Sequence, residues 1–212
     1  MDSVNTETEA IGKARKGGRS YALEAAAARV EAHLPPAAGP VAQPVLVVLC
    51  GLPGSGKSYL ARRLQPHLSA TIVETDYVRR ILFRQPTYSA PESAWVYAVC
   101  HALIERLILR SESVIFDGTN LIERNRQILY EIASSTQARF VLVRTVAAEE
   151  LIQHRMIRRV QGEDRDDHSE ADLAIYAKLR QTEEPICRQH LVIDTTLDVE
   201  QSVRRILREC RM

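Results

Sequence analysis

Several residues in this chain have types and spacings suited to handling phosphate. The first group is Gly51-Leu52-Pro53-Gly54-Ser55-Gly56-Lys57-Ser58, with Tyr59 directly after it. The glycines allow a tight curl in which successive backbone N–H groups point inward, and a following helix would add its positive N-terminal end. Lys57 could reach the terminal phosphates of a nucleotide, and the Ser58 hydroxyl could ligate Mg²⁺. The second group is Asp76-Tyr77-Val78-Arg79. A carboxylate at Asp76 can take the proton of an attacking hydroxyl. Arg79, one helical turn later, falls on the same side and can stabilise a phosphate in transfer. The same two residues would also suit a helix cap and a solvated arginine. Asp117 closes an apolar run and could orient a metal ion. Arg155 and Arg159 are four apart, so two guanidinium groups could converge on one polyphosphate or, equally, form a solvated basic face.

These side chains need a scaffold, and the hydrophobic pattern supplies one. Val45-Leu46-Val47-Val48-Leu49-Cys50 is an apolar, β-branched run that breaks straight into the glycine-rich turn, the strand–loop–helix order of a P-loop nucleotide-binding protein. Four more short runs read as strands: Thr71–Thr75, Ser113–Asp117, Arg139–Arg144 and His190–Asp194. Helical patterns alternate with them, which requires right-handed crossovers and a parallel sheet. Asp76 and Asp117 then lie at the C-terminal ends of strands, the edge where open α/β sheets bind ligands. Pro66 is expected to shorten or bend the first of these helices. Ser89-Ala90-Pro91-Glu92 fits a capping box opening a helix whose buried stripe is Trp95, Val99, Leu103, Leu107 and Ile108. Thr119, Asn120, Arg124 and Arg126 follow Asp117 and could contact acceptor or phosphate, or serve only the turn. Acceptor-binding residues are expected in the least patterned stretches, Phe83–Ser89 and Leu121–Arg126.

Ahead of this unit, residues 1–44 read as an arm. Residues 1–20 are polar and expected to be disordered, residues 21–34 form an alanine-rich amphipathic helix, and Pro35, Pro36, Gly39, Pro40 and Pro44 make a linker. The arm could dock a partner or be a loosely attached extension. The remaining unit, residues 45–212, includes a lid over about 148–172, whose tip Gly162–His168 is highly charged.

With 28 Lys+Arg against 27 Asp+Glu the net charge is +1, so nucleic acid is possible as a partner but is not indicated by charge. The four cysteines lack paired spacing, which argues against a zinc knuckle or disulfide framework. No run is long and apolar enough to span a bilayer and no secretory leader is seen, so a cytoplasmic protein is expected. Oligomeric state is not legible.

Taken together, these residues resemble the P-loop kinase group that includes polynucleotide 5′-hydroxyl kinases, zeta toxins, chloramphenicol phosphotransferases and gluconate kinases. Gly51–Ser58 matches the phosphate loop, Asp76 and Arg79 the Asp-x-x-Arg of polynucleotide kinases, Asp117-Gly118-Thr119-Asn120 the Asp-x-Thr-Asn strand end, and Arg155 with Arg159 the lid helix. Ser169–Asp172 and Glu184-Pro185 resemble the segments after the lid. The resemblance implies a P-loop NTPase three-layer α/β fold, with a five-stranded parallel sheet in the order 2-3-1-4-5 and helices on both faces. It also implies ATP and Mg²⁺ as cosubstrates and a hydroxyl-bearing acceptor. Gly118 stands where P-loop motors usually carry a glutamate, and the guanine-reading Asn-Lys-x-Asp is absent, which disfavours a motor or a GTPase. An ATP-dependent switch without an acceptor is the alternative.

Overall fold

The computed structural model describes residues 21–36, 39–160 and 173–211. The polar start, the lid tip and Ser169–Asp172 lie outside the described residues, as do the side chains of Arg158 and Arg159. A first helix (α1, residues 21–31) precedes β1 (Val45–Cys50), α2 (Lys57–Leu68), β2 (Thr71–Glu74), α3 (Thr75–Leu82) and α4 (Ala90–Leu109). Then follow β3 (Val114–Asp117), α5 (Glu123–Ser135), β4 (Arg139–Val146), α6 (Glu149–Val160), α7 (Leu173–Gln181), β5 (Leu191–Asp194) and α8 (Val199–Arg211).

All strand pairs are parallel and the sheet order is β2-β3-β1-β4-β5, as the P-loop kinase resemblance implied. β1 is fully buried between β3 and β4, which explains why its sequence is continuously apolar and not alternating. Its two faces serve two cores. Leu46, Val48 and Cys50 join Phe116 and the buried stripe of α4, whereas Val47 and Leu49 join Ile115, Leu60 and Leu64 of α2, and Ile206 of α8. The register sets Asp117 beside both Leu49 and Glu74, so three strand ends meet at one edge.

Local signals explain the helix ends near that edge. Ser89 Oγ accepts from the Glu92 amide at 3.4 Å and Pro91 sits in the first turn of α4. Pro66 does not end α2, which continues to Leu68 and stops at Ser69 in a left-handed conformation (φ 48°). Placed near the C-terminus, the proline interrupts the amide ladder only where the helix is about to end.

α1 differs from the expectation of a loose extension. Ala27 and Val30 are 0% exposed and belong to the same core as Val96, Val99 and Leu103. Arg106 bonds to Glu24 and Glu31, and Arg110 to Glu31, fastening α1 to the α4 end of the molecule. Among the described residues no helix is long and apolar enough to cross a membrane.

Candidate phosphate-binding site

The glycine-rich loop leaves β1 through Gly51, whose φ of 149° is open to glycine alone in practice. A Cβ there would stand 2.6 Å from both the carbonyl oxygen and Oγ1 of Thr145, so the loop is pressed directly onto β4. Ser55 Oγ and Thr145 Oγ1 lie 2.7 Å apart, and the Gly51 amide donates to Thr119 O at 3.0 Å. Gly56, at φ 88°, caps the N-terminus of α2 and packs against Thr195. The loop is therefore braced from three sides. Lys57 is 9% exposed and its Nζ donates to Leu52 O at 2.9 Å, which folds the ammonium back over the loop.

Arg155 of α6 closes over the same loop. Its Nη1 donates to Gly54 O at 3.1 Å and to Thr195 Oγ1 at 3.0 Å, and its Nη2 donates to Thr195 O at 3.1 Å. Beside it, Leu52 packs against Ile152, Met156 and Tyr176, a small apolar cluster joining the loop to α6 and α7. Pro53 and Gly54 lie within this covered stretch of the loop. Tyr59, next to Ser58, is 52% exposed.

Ser58 and Asp117 line one cavity of ≈ 580 Å³ together with Arg62, Glu74 and Tyr77, and His33–Pro36 form part of its wall. Asp117 is 4% exposed. A hydroxyl and a carboxylate lining one cavity form a hard oxygen donor set that suits Mg²⁺. Among the described residues no group of three or more His, Cys, Asp or Glu could hold a metal unaided, so phosphate oxygens and water would complete the shell. Ser58 and Asp117 thus fit the ion that the resemblance implied.

Asp76 occupies the first turn of α3 directly after β2, half-buried, and its charge is felt at Tyr97 and Cys100 on α4. Arg79, three residues on, is bound to Glu92 and Ser93 of α4. It is 5% exposed, its Nη1 pairs with Glu92, its Nη2 donates to Ser93 Oγ at 3.3 Å, and its guanidinium carbon stacks 4.3 Å from the Tyr88 ring centre. Glu92 also accepts from the Thr87 amide and hydroxyl, both at 2.7 Å, and from the Tyr88 amide at 3.1 Å. Desolvation works against the ionised carboxylate, but the Thr87 hydroxyl and amide, Arg79 and the Tyr88 amide outweigh it and hold Glu92 down to about 2.

Beyond Asp117, Asn120 is fully buried at φ 47°, with Nδ2 donating to Leu49 O at 2.7 Å. Tyr97 Oη accepts from the Asn120 amide at 3.1 Å and lies 3.2 Å from Thr119 Oγ1. Arg126 is 0% exposed and bonds to the carbonyls of Asn120, Glu184 and Pro185 and to the Glu123 carboxylate, while Arg124 is exposed. Arg126 fastens the segment after α7 to the loop after β3. The structure thus gathers Gly51–Ser58, Arg155 and Thr195 about one loop and gathers Ser58 with Asp117 about one cavity. Thr145, Thr195, Tyr97 and the second role of Glu92 escaped the sequence, where only a threonine interrupting the apolar β4 run hinted at the first.

Residues 46–186 match a family model described as an AAA domain. The chain is 34% identical over 104 residues to Protein KTI12 homolog of Mus musculus, a stretch covering 46% of this chain and 29% of that relative. The chain therefore spans less than a third of that relative's length. Kti12 of Chaetomium thermophilum in complex with ADP-AlF3 superposes with a TM-score of 0.63 at 21% identity, covering 77% of this chain and 96% of that one. The APS kinase CysC of Mycobacterium tuberculosis in complex with AMPPNP and APS gives 0.62 at 14% identity, with coverage of 80% and 99%. A gluconokinase from Sinorhizobium meliloti gives 0.56 at 19% identity, with coverage of 79% and 92%. All three share this P-loop kinase-like fold.

Proposed function

The chain belongs to the AAA domain family, and within it we propose an ATP-dependent kinase that transfers the γ-phosphate to a hydroxyl of a small molecule or of a nucleic acid 5′ end, as in the polynucleotide kinase and zeta-toxin group. The observation that carries this reading is the placement of Asp76, a half-buried carboxylate in the first turn of α3, at the strand edge that also holds Lys57, Ser58 and Asp117. A switch needs the loop and the metal donors but has no use for a carboxylate acting as base.

In this mechanism the loop amides and the N-terminus of α2 bind the phosphates, and Lys57 exchanges the Leu52 carbonyl for β- and γ-phosphate oxygens. Mg²⁺, held by Ser58 and supported by Asp117, would neutralise charge on those oxygens. Asp76 accepts the proton of the acceptor hydroxyl while its oxygen bonds to the γ-phosphorus and the bond to the bridging oxygen breaks, releasing ADP. Arg155, already at the loop, and Arg159 on the same helix stabilise charge on the transferring group, and the lid excludes water. Arg79 acts through position: bound to Glu92, it ties α3, and with it Asp76, to α4.

The withheld Arg79 is also the one observation that favours a second reading, a nucleotide-dependent switch or binding module. Incubating the full chain with radiolabelled ATP and a panel of 5′-hydroxyl oligonucleotides, nucleosides, sugars and aminoglycosides separates the two. Labelled acceptor supports the kinase; ATP binding with slow hydrolysis and no labelled acceptor supports the switch.

A further inference from the structure

The turn that follows Asp117 is held in a conformation its own residues do not favour. Asn120 has a φ of 47°, in the left-handed region that a residue with a side chain enters at a cost, and it stays there only because its surroundings over-determine it. Groups from β1, α5 and α4 do so. Asn120 Nδ2 donates to Leu49 O at 2.7 Å, the Asn120 carbonyl accepts from Arg126 Nη1 at 2.8 Å and from Cys50 Sγ at 3.3 Å, and its amide donates to Tyr97 Oη at 3.1 Å. The Tyr97 hydroxyl is the contribution of α4.

That hydroxyl also lies 3.2 Å from Thr119 Oγ1, and the Thr119 carbonyl accepts from the Gly51 amide at 3.0 Å, where the phosphate loop begins. On the other side, a Cβ at Gly118 would stand 2.9 Å from Thr75 Cγ2 and 3.4 Å from Tyr97 Oη, so the turn is pressed between α4 and the first residue of α3. Burial pushes the Tyr97 phenol above its ordinary value, which keeps it a neutral hydroxyl able both to accept and to donate.

Resting on the placement of Mg²⁺ by Ser58 and Asp117 given above, and not on phosphoryl transfer, we propose that Tyr97 is a positioning residue for the metal end of the site. Its hydroxyl fixes the Gly118–Asn120 turn, and the turn sets Asp117 against the phosphate loop that ends in Ser58. Without the hydroxyl, the Asn120 amide loses a buried partner and the turn loses its tie to α4. Asp117 is then less well placed toward the ion, whereas the loop amides and Lys57 still hold phosphate.

Tyr97→Phe removes the hydroxyl alone, because the edge contacts of the ring with His101 and Phe116, at centroid distances of 5.9 and 6.0 Å, remain open to phenylalanine. The readout is the affinity of a fluorescent ADP analogue against Mg²⁺ concentration, which needs neither acceptor nor turnover. In EDTA the variant should bind within about twofold of wild type, while the Mg²⁺ midpoint should rise by about tenfold. Asp117→Asn is the reference and should raise the midpoint at least as far. An unchanged midpoint in Tyr97→Phe beside a raised one in Asp117→Asn overturns the role of Tyr97 and leaves the metal placement standing. Unchanged midpoints in both overturn the placement and the proposal together. An affinity that falls equally at every Mg²⁺ concentration overturns the proposal by reducing Tyr97 to a structural residue.

A second arm approaches from the turn itself. Thr119→Val takes away the other hydroxyl of the pair, should raise the midpoint in the same direction, and combined with Tyr97→Phe should raise it by less than the product of the two single effects. An unchanged midpoint in Thr119→Val, or a double variant that shows the full product, overturns the route through the turn.

Discussion

Arg155 and Thr195 are joined twice, guanidinium to hydroxyl at 3.0 Å and guanidinium to carbonyl at 3.1 Å, and Thr195 Oγ1 donates onward to Ser55 O at 2.9 Å. A side chain of α6 is thereby in register with the phosphate loop through one threonine. Arg155→Ala should weaken ATP binding by about tenfold, and Arg155→Lys should rescue little because an ammonium cannot reproduce the two-pronged contact. Titration with a fluorescent ATP analogue checks this; full rescue by lysine would mean that charge alone matters.

Lys57→Ala and Asp76→Ala should both abolish transfer, but by separable routes. Lys57→Ala is expected to weaken nucleotide binding and slow chemistry by about 100-fold or more. Asp76→Ala should leave ATP affinity within about threefold of wild type, because the role proposed for it is confined to the acceptor proton. Transfer at the wild-type rate in Asp76→Ala would remove it as the base.

Gly51→Ala is expected to destabilise the protein by about 2–4 kcal/mol, since it combines an unfavourable φ with overlap against backbone. The Cβ would meet Thr145 O at 2.6 Å, and a central strand has little room to yield. Urea unfolding of this variant with and without ATP is the measurement. A wild-type midpoint would show that the loop is not pressed against β4 as described.

The acid limb of stability should carry a signature of His101. It is 6% exposed, its Nε2 has no hydrogen-bond partner among the described residues, and burial pushes it down to about 4. The unfolded imidazole, near 6.5, takes up a proton first, so this contribution is whole above about pH 6.5 and is lost as pH falls toward 4. Glu92 shifts the same way but from lower down: held at about 2, its contribution is lost only below the ordinary carboxylate range, about 4.3. His101→Phe, beside Tyr97 and Phe116, should flatten melting temperature against pH between those limits for histidine. An unchanged slope would exclude His101 as its source.

Val30→Ala should cost about 1–3 kcal/mol, and Ala27→Asp considerably more, because both positions are sealed against α4. Thermal unfolding of the two variants decides whether α1 is part of the cooperative unit. Changes near zero would restore the picture of a dispensable extension.

The features legible in the sequence were those encoded within a few residues. The phosphate loop, the Ser89 cap and the five strand runs each depend on neighbours in the chain, and the alternation of strands with helices constrained the sheet. Glu92 shows the limit. Its cap spacing is local, but its claim on Arg79 depends on how α3 folds back against α4, which no periodicity records. Thr145 and Thr195 brace the loop from 90 and 140 residues away along the chain from Ser55. The amphipathic stripe of α1 announced a buried face without saying what would bury it. Pro66 misled in the other direction, because a breaker matters less where a helix has almost finished.

The central place of β1 also bears on the order in which the molecule can be made. Its partners β3 and β4 begin at residues 114 and 139, so a ribosome must deliver most of the chain before the strand carrying the phosphate loop can be enclosed. α1, whose seat is on α4, waits for a surface that starts at residue 90. Closing contacts of such long sequence separation is entropically slow. During synthesis the nascent protein therefore passes through a stage in which its earliest apolar segments are complete and unshielded, and the nucleotide it is built to hold can help only at the end.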